Sequence, residues 1–159
     1  MVFFMNNTKF VFDSNVFINM QRHHPQDVFG SLWLKISEAF EKGMVISSAE
    51  VLDELRVGDD ALVVWANQRK FAFIRSGYEI QNLVRSILLR FPDLVTGSRK
   101  SNSADPFVIA LAKHRNCILV SDETMAGNGQ PVKIPNVCIA YDVKQIKYID
   151  FLRALNIYI

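Results

Sequence analysis

Hydrophobic and polar positions fall in blocks along this chain, and the blocks follow two periods. Lys9–Phe12, Met44–Ile46 and Cys117–Val120 are short runs of nearly continuous apolar character. That pattern predicts strands buried on both faces. Between them the period is helical. Val28, Leu32, Ile36 and Phe40 recur every four residues in a stretch opening at Asp27, and Gly43 is placed to stop the helix. Ile80, Leu83, Val84, Ile87, Leu88 and Phe91 mark one face of a long amphipathic helix, which Pro92 ends.

The remaining segments are shorter. Asn15–Met20 predicts a helix or turn, and Gln21–Gln26, interrupted by Pro25, a loop. Ser47-Ser48-Ala49-Glu50 reads as a capping box, with Ser47 accepting from the Glu50 amide and opening a helix to about Arg56. Asp59 or Asp60 caps another helix, through Arg69. Phe71–Ile74 is either a strand or an extended loop. Thr96–Ser101 is a polar, basic loop. Ser103 is placed to cap a helix from Ala104 to about Arg115, with Pro106 in its first turn. Thr124–Gln130 is a Gly-containing loop, and Pro135 starts a short helix through Tyr141. Lys144–Ile149 predicts a last strand, followed by a short helix. Strands alternating with helices define an α/β class with a mostly parallel sheet. No internal linker divides residues 1–159, so one domain is expected.

Composition supports this reading. The chain has 159 residues, half of them hydrophobic and twelve of them phenylalanine, enough for one sizeable core. Apolar runs such as Ala61–Ala66 are too short to span a bilayer. Met1–Met5 lacks the basic start and long apolar core of a signal peptide. The expectation is a cytoplasmic protein with no membrane partner. Cys117 and Cys138 each lie in an apolar stretch and read as small buried hydrophobes.

Charge changes the picture more through its distribution than through its sum of +2. Residues 1–65 carry five Lys/Arg against nine Asp/Glu, whereas residues 66–100 carry seven against two. A basic middle beside an acidic remainder suits a polyanion held by one surface and acted on at another. Arg69, Lys70, Arg99 and Lys100 are the candidate phosphate contacts, because they fall at helix ends or in loops.

The acidic residues carry the candidate chemistry. Asp13 follows the first strand, and Asp122 and Glu123 follow Ile118–Ser121. Functional loops of parallel sheets lie at the carboxyl ends of strands. Asp105 opens an apolar helix, and Glu54 lies inside another. Converging carboxylates suit a hard cation such as Mg2+, which polarises a phosphate and needs no histidine or cysteine. Metal-dependent phosphodiester hydrolysis is the expectation. Each acid also has a plainer role open to it. Asp13 is placed as an N-cap, Asp105 as a partner for a helix dipole, and Glu54 as a solvated helix position. The capping box accounts for Glu50 without any ligand role.

The order of these segments resembles the PIN-domain ribonucleases. Val11–Ile18, containing Asp13, Ser14 and Asn15, is similar to their opening motif. Ser47–Gly58 is similar to the second, and the match selects Glu54. Ser103–Ala112 resembles the third, opening at Asp105, and Leu119–Glu123 the fourth. There a hydroxyl residue, Ser121, is usually followed by any residue and then an acid. Asp122 and Glu123 are both acidic, so the fourth ligand is open between them, with Glu123 favoured by the alignment. The Asp105-Pro106-Phe107 and Ile134-Pro135-Asn136-Val137-Cys138 segments look closest to a PIN-like subgroup of the DUF4411 kind. The loop around His23–Gln26 is not a core feature of the PIN family.

This resemblance implies a three-layer α/β/α sandwich. It implies Mg2+ or Mn2+ held by Asp13, Glu54, Asp105 and Glu123 or Asp122, with Ser14, Asn15 and Ser121 in support. It also implies RNA cleavage by an endoribonuclease, as the toxin of a type II toxin–antitoxin pair of the VapC type. Such a toxin is neutralised by a small antitoxin and is commonly a homodimer. Leu62, Val63, Val64 and Trp65 exceed what one helix stripe buries and offer a docking face for such a partner. The alternatives are a housekeeping RNA-processing nuclease and a non-catalytic module that binds RNA or protein. Other phosphoryl-transfer classes fit less well, since the phosphatases want a second aspartate where Asn15 stands.

Overall fold

A computed structural model describes residues 7–95 and 103–158. The expected sheet is present, and all of its described pairings are parallel. Strands β1 (Phe10–Phe12), β2 (Val45–Ser48), β3 (Phe73–Ile74), β4 (Ile118–Val120) and β5 (Gln145–Ile146) lie in the order β3-β2-β1-β4-β5. Helices α1 (Ser14–His23), α2 (Gly30–Glu41), α3 (Ala49–Leu55) and α4 (Asp60–Asn67) lie between the first three strands. Helices α5 (Tyr78–Arg90), α6 (Asp105–Arg115), α7 (Ile134–Ala140) and α8 (Tyr148–Ala154) complete the chain. The result is an α/β fold consistent with a three-layer α/β/α sandwich.

Central β1 is paired on both edges, Phe10 facing Val45 and Ile118, and Val11 facing Ile46 and Leu119. Its side chains alternate between two different layers. Phe10 and Phe12 meet aromatic rings. Phe12 lies 5.3 Å from Phe17 of α1, 5.5 Å from Phe40 of α2 and 4.7 Å from Phe151 of α8. Trp65 of α4 joins this layer, 5.2 Å from Phe40 and 5.3 Å from Trp33. The polar ends of both tryptophans are satisfied: Trp65 Nε1 donates to Ser37 Oγ at 2.9 Å, and Trp33 Nε1 to the His24 carbonyl at 2.6 Å. On the other side, α6 packs across β1, β2 and β4, and α5 and α7 pack on α6.

Several local expectations are corrected. Ser48, not Ser47, is the N-cap of α3 and accepts from Val51 N–H at 3.3 Å. Ser47 Oγ donates instead to the Phe12 carbonyl at 2.6 Å, tying β2 to β1. The capping box with Glu50 is therefore not made. Ala104, not Ser103, precedes α6 as its N-cap, because Ser103 Oγ donates to Glu54. Helix α1 runs past Met20 to His23, and a turn closed by the Pro25 carbonyl delays α2 to Gly30. Val28 is consequently exposed while Leu32, Ile36 and Phe40 are buried. Gly43 does follow α2, with φ +74°, a conformation that favours glycine.

Asp59 caps α4 by accepting from Leu62 N–H at 3.1 Å. A 3-10 turn over Lys70–Ala72 precedes the short β3, so the Phe71–Ile74 stretch is partly strand. The last strand stops at Ile146, because α8 already starts at Tyr148. The α4 docking face is not formed as expected. Leu62, Trp65 and Ala66 enter the core, and among the large side chains of that run only Val64, 57% exposed, is offered to solvent. The Met1–Met5 run, the Thr96–Ser101 loop, Arg99 and Lys100 lie outside the described residues. Among the described residues, no helix is long and apolar enough to cross a membrane.

Candidate metal centre

The strand order determines where a site forms. From β1 the chain moves to β2 and β3 on one side, then crosses to β4 and β5 on the other. The crevice at the carboxyl ends of β1 and β4 lies where this direction reverses, the usual ligand position in parallel sheets. Backbone hydrogen bonds carry the ladder one residue beyond each strand there: Asp13 N–H donates to the Val120 carbonyl at 3.1 Å, and Ser121 N–H to the Ile146 carbonyl at 3.0 Å. Asp13 and Ser121 are thus held side by side by the sheet itself.

Asp105 reaches the same edge from another direction, as the first residue of α6. Ligand oxygens of Asp13, Asp105 and Glu123 lie within 4.8 Å of one another. Asp13 is 1% exposed and Asp105 4%. Asp13 Oδ1 accepts from Ser14 N–H at 2.7 Å, and Oδ2 from Ser121 Oγ at 3.1 Å. Glu123 is held at both ends. Its amide donates to Ser121 Oγ at 3.3 Å, and its Oε2 accepts from Ile134 N–H, at the start of α7, at 3.0 Å. No donor among the described residues reaches the Asp105 carboxylate.

Burial of like charges at this spacing is unfavourable without compensation. Desolvation, then the charge of Glu123, raises the Asp13 carboxyl from 3.8 to about 7, against the pull of its Ser121 and Ser14 hydrogen bonds. Desolvation, then Asp13, Glu123 and Glu54, raises Asp105 to about 10. Asp13 and Glu123 add to burial in pushing the nearby Cys138 thiol up to about 12. A cluster like this must bind protons or a cation. Three convergent carboxylates, one of them without a donor among the described residues, fit a divalent metal ion with oxygen preference.

Glu54 stands beside this trio rather than in it. Its Oε1 accepts from Ala104 N–H at 3.0 Å and from Ser103 Oγ at 3.2 Å, so it fixes the start of α6 and thereby Asp105. Burial raises its carboxyl, opposed by hydrogen bonds from Ser14, Ala104 and Ser103. Asp122 turns away from the trio. Its Oδ1 accepts from Tyr148 N–H at 3.0 Å, at the start of α8, and its amide donates to Asn15 Oδ1 at 3.3 Å. Ser14, Asn15 and Ser121 are all at the site.

Arg69 is built into the fold. Its guanidinium lies 4.6 Å from the Trp65 ring centroid, donates to the Trp65 carbonyl at 3.0 Å and approaches Glu41 at 3.8 Å. Lys70 is exposed.

Sequence reasoning missed three supports. Ile134 N–H holds Glu123. Asn136 Oδ1 accepts from Ala126 and Lys133 N–H, both at 3.0 Å, clamping the preceding loop. Gln145 Nε2 donates to the Ser121 carbonyl at 2.7 Å. The Ile134–Cys138 segment was the visible signal for the first two, since it stood out as a motif without an assigned role.

Fold and site together define an all-parallel α/β domain with a carboxylate trio, Asp13 and Asp105 buried and Glu123 half-buried, at its topological switch point. The chain belongs to the DUF4411 family, described as a domain of unknown function, which it matches over residues 10–159. No curated protein matches it.

Proposed function

We propose that this protein is a PIN-like, Mg2+- or Mn2+-dependent endoribonuclease, and the toxin of a type II toxin–antitoxin pair. The observation that carries the nuclease reading is the convergence of Asp13, Asp105 and Glu123 within 4.8 Å at the strand carboxyl edge. A bound divalent ion would supply Lewis-acid polarisation of a phosphodiester and a nearby water. Asp13 and Asp105 would anchor it from opposite elements, and Glu123 would complete the protein's share of the shell. Ser14 and Ser121 orient Asp13, and Glu54 positions Asp105 through Ala104. RNA as substrate, a small antitoxin, a homodimeric state and a cytoplasmic location rest on the PIN-like order of motifs.

The test uses purified protein on mixed single-stranded RNA, with Mg2+ or Mn2+ and with EDTA. Cleavage should require the metal and disappear in Asp13→Asn and in Asp105→Asn, both of which keep shape and lose charge. Full activity in either variant would remove the trio from the mechanism. Expressed in bacteria, the wild type should slow growth and Asp13→Asn should not. An active enzyme without that effect would move the reading to dedicated RNA processing.

A further inference from the structure

Glu50 has lost the role its sequence context suggested, and it lines a cavity. That cavity, about 790 Å3, is bounded by Glu50, Arg56, Lys70, Phe73, Arg75 and Phe107, among others. Its size falls in the range of roughly 300–1,000 Å3 usual for small-molecule sites. It shares two elements, α3 and α6, with Glu54 and Asp105. Glu50 precedes Glu54 by about one turn of α3, and Phe107 follows Asp105 in the first turn of α6.

The charges of the cavity are not all accounted for by the fold. Arg56 Nη1 pairs with Asp53 Oδ1 at 3.3 Å, so those two offset each other. Lys70 and Arg75 are exposed and form no ion pair among the described residues. Glu50 Oε2 is buried without a hydrogen-bond partner. An orphaned buried carboxylate oxygen is costly, and a rotation of the side chain into the cavity would relieve it if a donor were there. Phe73 and Phe107 supply apolar wall to the same cavity.

A ligand that satisfies all three features combines N–H donors for Glu50, a flat apolar body for the phenylalanines and a phosphate for Lys70 and Arg75. We propose that this cavity binds one guanine nucleotide of the RNA substrate, with the base on Glu50 and the phosphate on Lys70 and Arg75. An ionised carboxylate only accepts. Guanine offers two adjacent N–H groups, N1–H and N2–H, on its pairing edge. Cytosine and adenine offer one exocyclic amine, and uracil sets its single N–H between two carbonyls that repel the carboxylate. The expected order is guanine first and uracil last. This inference deepens the nuclease reading and rests on it for the identity of the substrate.

The test is binding in EDTA, where metal-dependent cleavage plays no part. Wild-type protein is titrated with the 5′-monophosphates of guanosine, cytidine, adenosine and uridine, followed by NMR or calorimetry. The guanosine nucleotide should bind at least about tenfold more tightly than the uridine one, the discrimination of one good bidentate contact. Glu50→Gln should remove most of that preference while leaving the melting curve unchanged. Lys70→Ala combined with Arg75→Ala should weaken all four nucleotides alike. Equal binding of guanosine and uridine nucleotides, no binding of either, or an unchanged preference in Glu50→Gln would each overturn the proposal. If Glu50→Gln does not fold, the wild-type ranking and the Lys70/Arg75 pair still decide it. Guanine preference without RNA cleavage would sink the nuclease reading alone. Cleavage without guanine preference would sink this one alone.

Discussion

Phe12 and Asp13 are neighbours, yet they belong to regions with opposite energetics. Phe12 is fully buried against Phe17, Phe40 and Phe151 in the aromatic layer. Asp13 is just as buried, and its desolvation, together with the neighbouring carboxylates, raises its pKa. The first region stabilises the fold through apolar burial. The second detracts from stability unless a proton or cation is present, which is the expected signature of a site held for chemistry. One peptide bond separates the two because β1 ends there.

The largest effect should come from breaking the aromatic side of this comparison. Phe12→Ala should cost about 3–5 kcal/mol of unfolding free energy, the usual loss for a buried aromatic. Asp13→Asn, measured in EDTA at pH 8, should instead leave stability unchanged or raise it. Denaturant titration of both variants checks this. A loss in Asp13→Asn comparable to that in Phe12→Ala would make Asp13 a structural residue.

The second test concerns pH. In the metal-free fold Asp13 and Asp105 sit above their ordinary value of 3.8, at about 7 and about 10. The folded chain therefore retains protons that the unfolded chain has released. This contribution is fully present below pH 3.8 and is lost as pH rises through the folded values. Stability in EDTA should fall between pH 5 and 8, at up to about 1.4 kcal/mol per pH unit for each proton retained. Mn2+ should restore more stability at pH 8 than at pH 5, because it competes with protons for the same oxygens. A flat EDTA profile across that interval would mean that the acids are not strained.

Arg69 and Lys70 extend the comparison to the basic segment. Arg69→Ala should cost roughly 1–2 kcal/mol through the lost Trp65 stacking and hydrogen bond, with no effect on the salt dependence of RNA binding. Lys70→Ala should change stability by less than about 0.5 kcal/mol and flatten the salt slope by about 0.7 for one lost phosphate contact on a single strand. The reverse pattern would return Arg69 to the binding surface.

How far the sequence could be read follows from which forces are local. The strand β1, the helices α2 and α5 and the acids after β1 and β4 were legible, because burial and strand ends leave marks in consecutive residues. Ser47 and Ser48 were not separable, since a cap depends on which hydroxyl the neighbouring strand claims, and Phe12 claims Ser47. Leu62–Trp65 looked too apolar for one helix because the sequence does not show that Trp33, Phe40 and Ser37 surround Trp65. Glu54 as a ligand and Glu54 as the brace of Ala104 look alike in sequence, because the contact spans fifty positions. Asp122 and Glu123 were ambiguous for the same reason, their partners lying on α8 and α7.

That last pair gives the smallest and most selective test. Asp122 accepts from Tyr148 N–H, whereas Glu123 joins Asp13 and Asp105. Asp122→Ala should therefore cost about 1 kcal/mol, as the loss of a helix-end acceptor does, and leave the Mn2+ concentration needed for half-stabilisation unchanged. Glu123→Ala should raise that concentration, because it removes a charged oxygen from the cluster, and should relieve the Asp13 and Asp105 carboxyls of its repulsion. Its EDTA stability at pH 8 should accordingly fall less than that of Asp122→Ala, despite the lost bond to Ile134. Measuring both variants by thermal melts across a Mn2+ series separates the roles. A larger metal defect in Asp122→Ala would mean that the Asp122 carboxylate leaves α8 to serve the site.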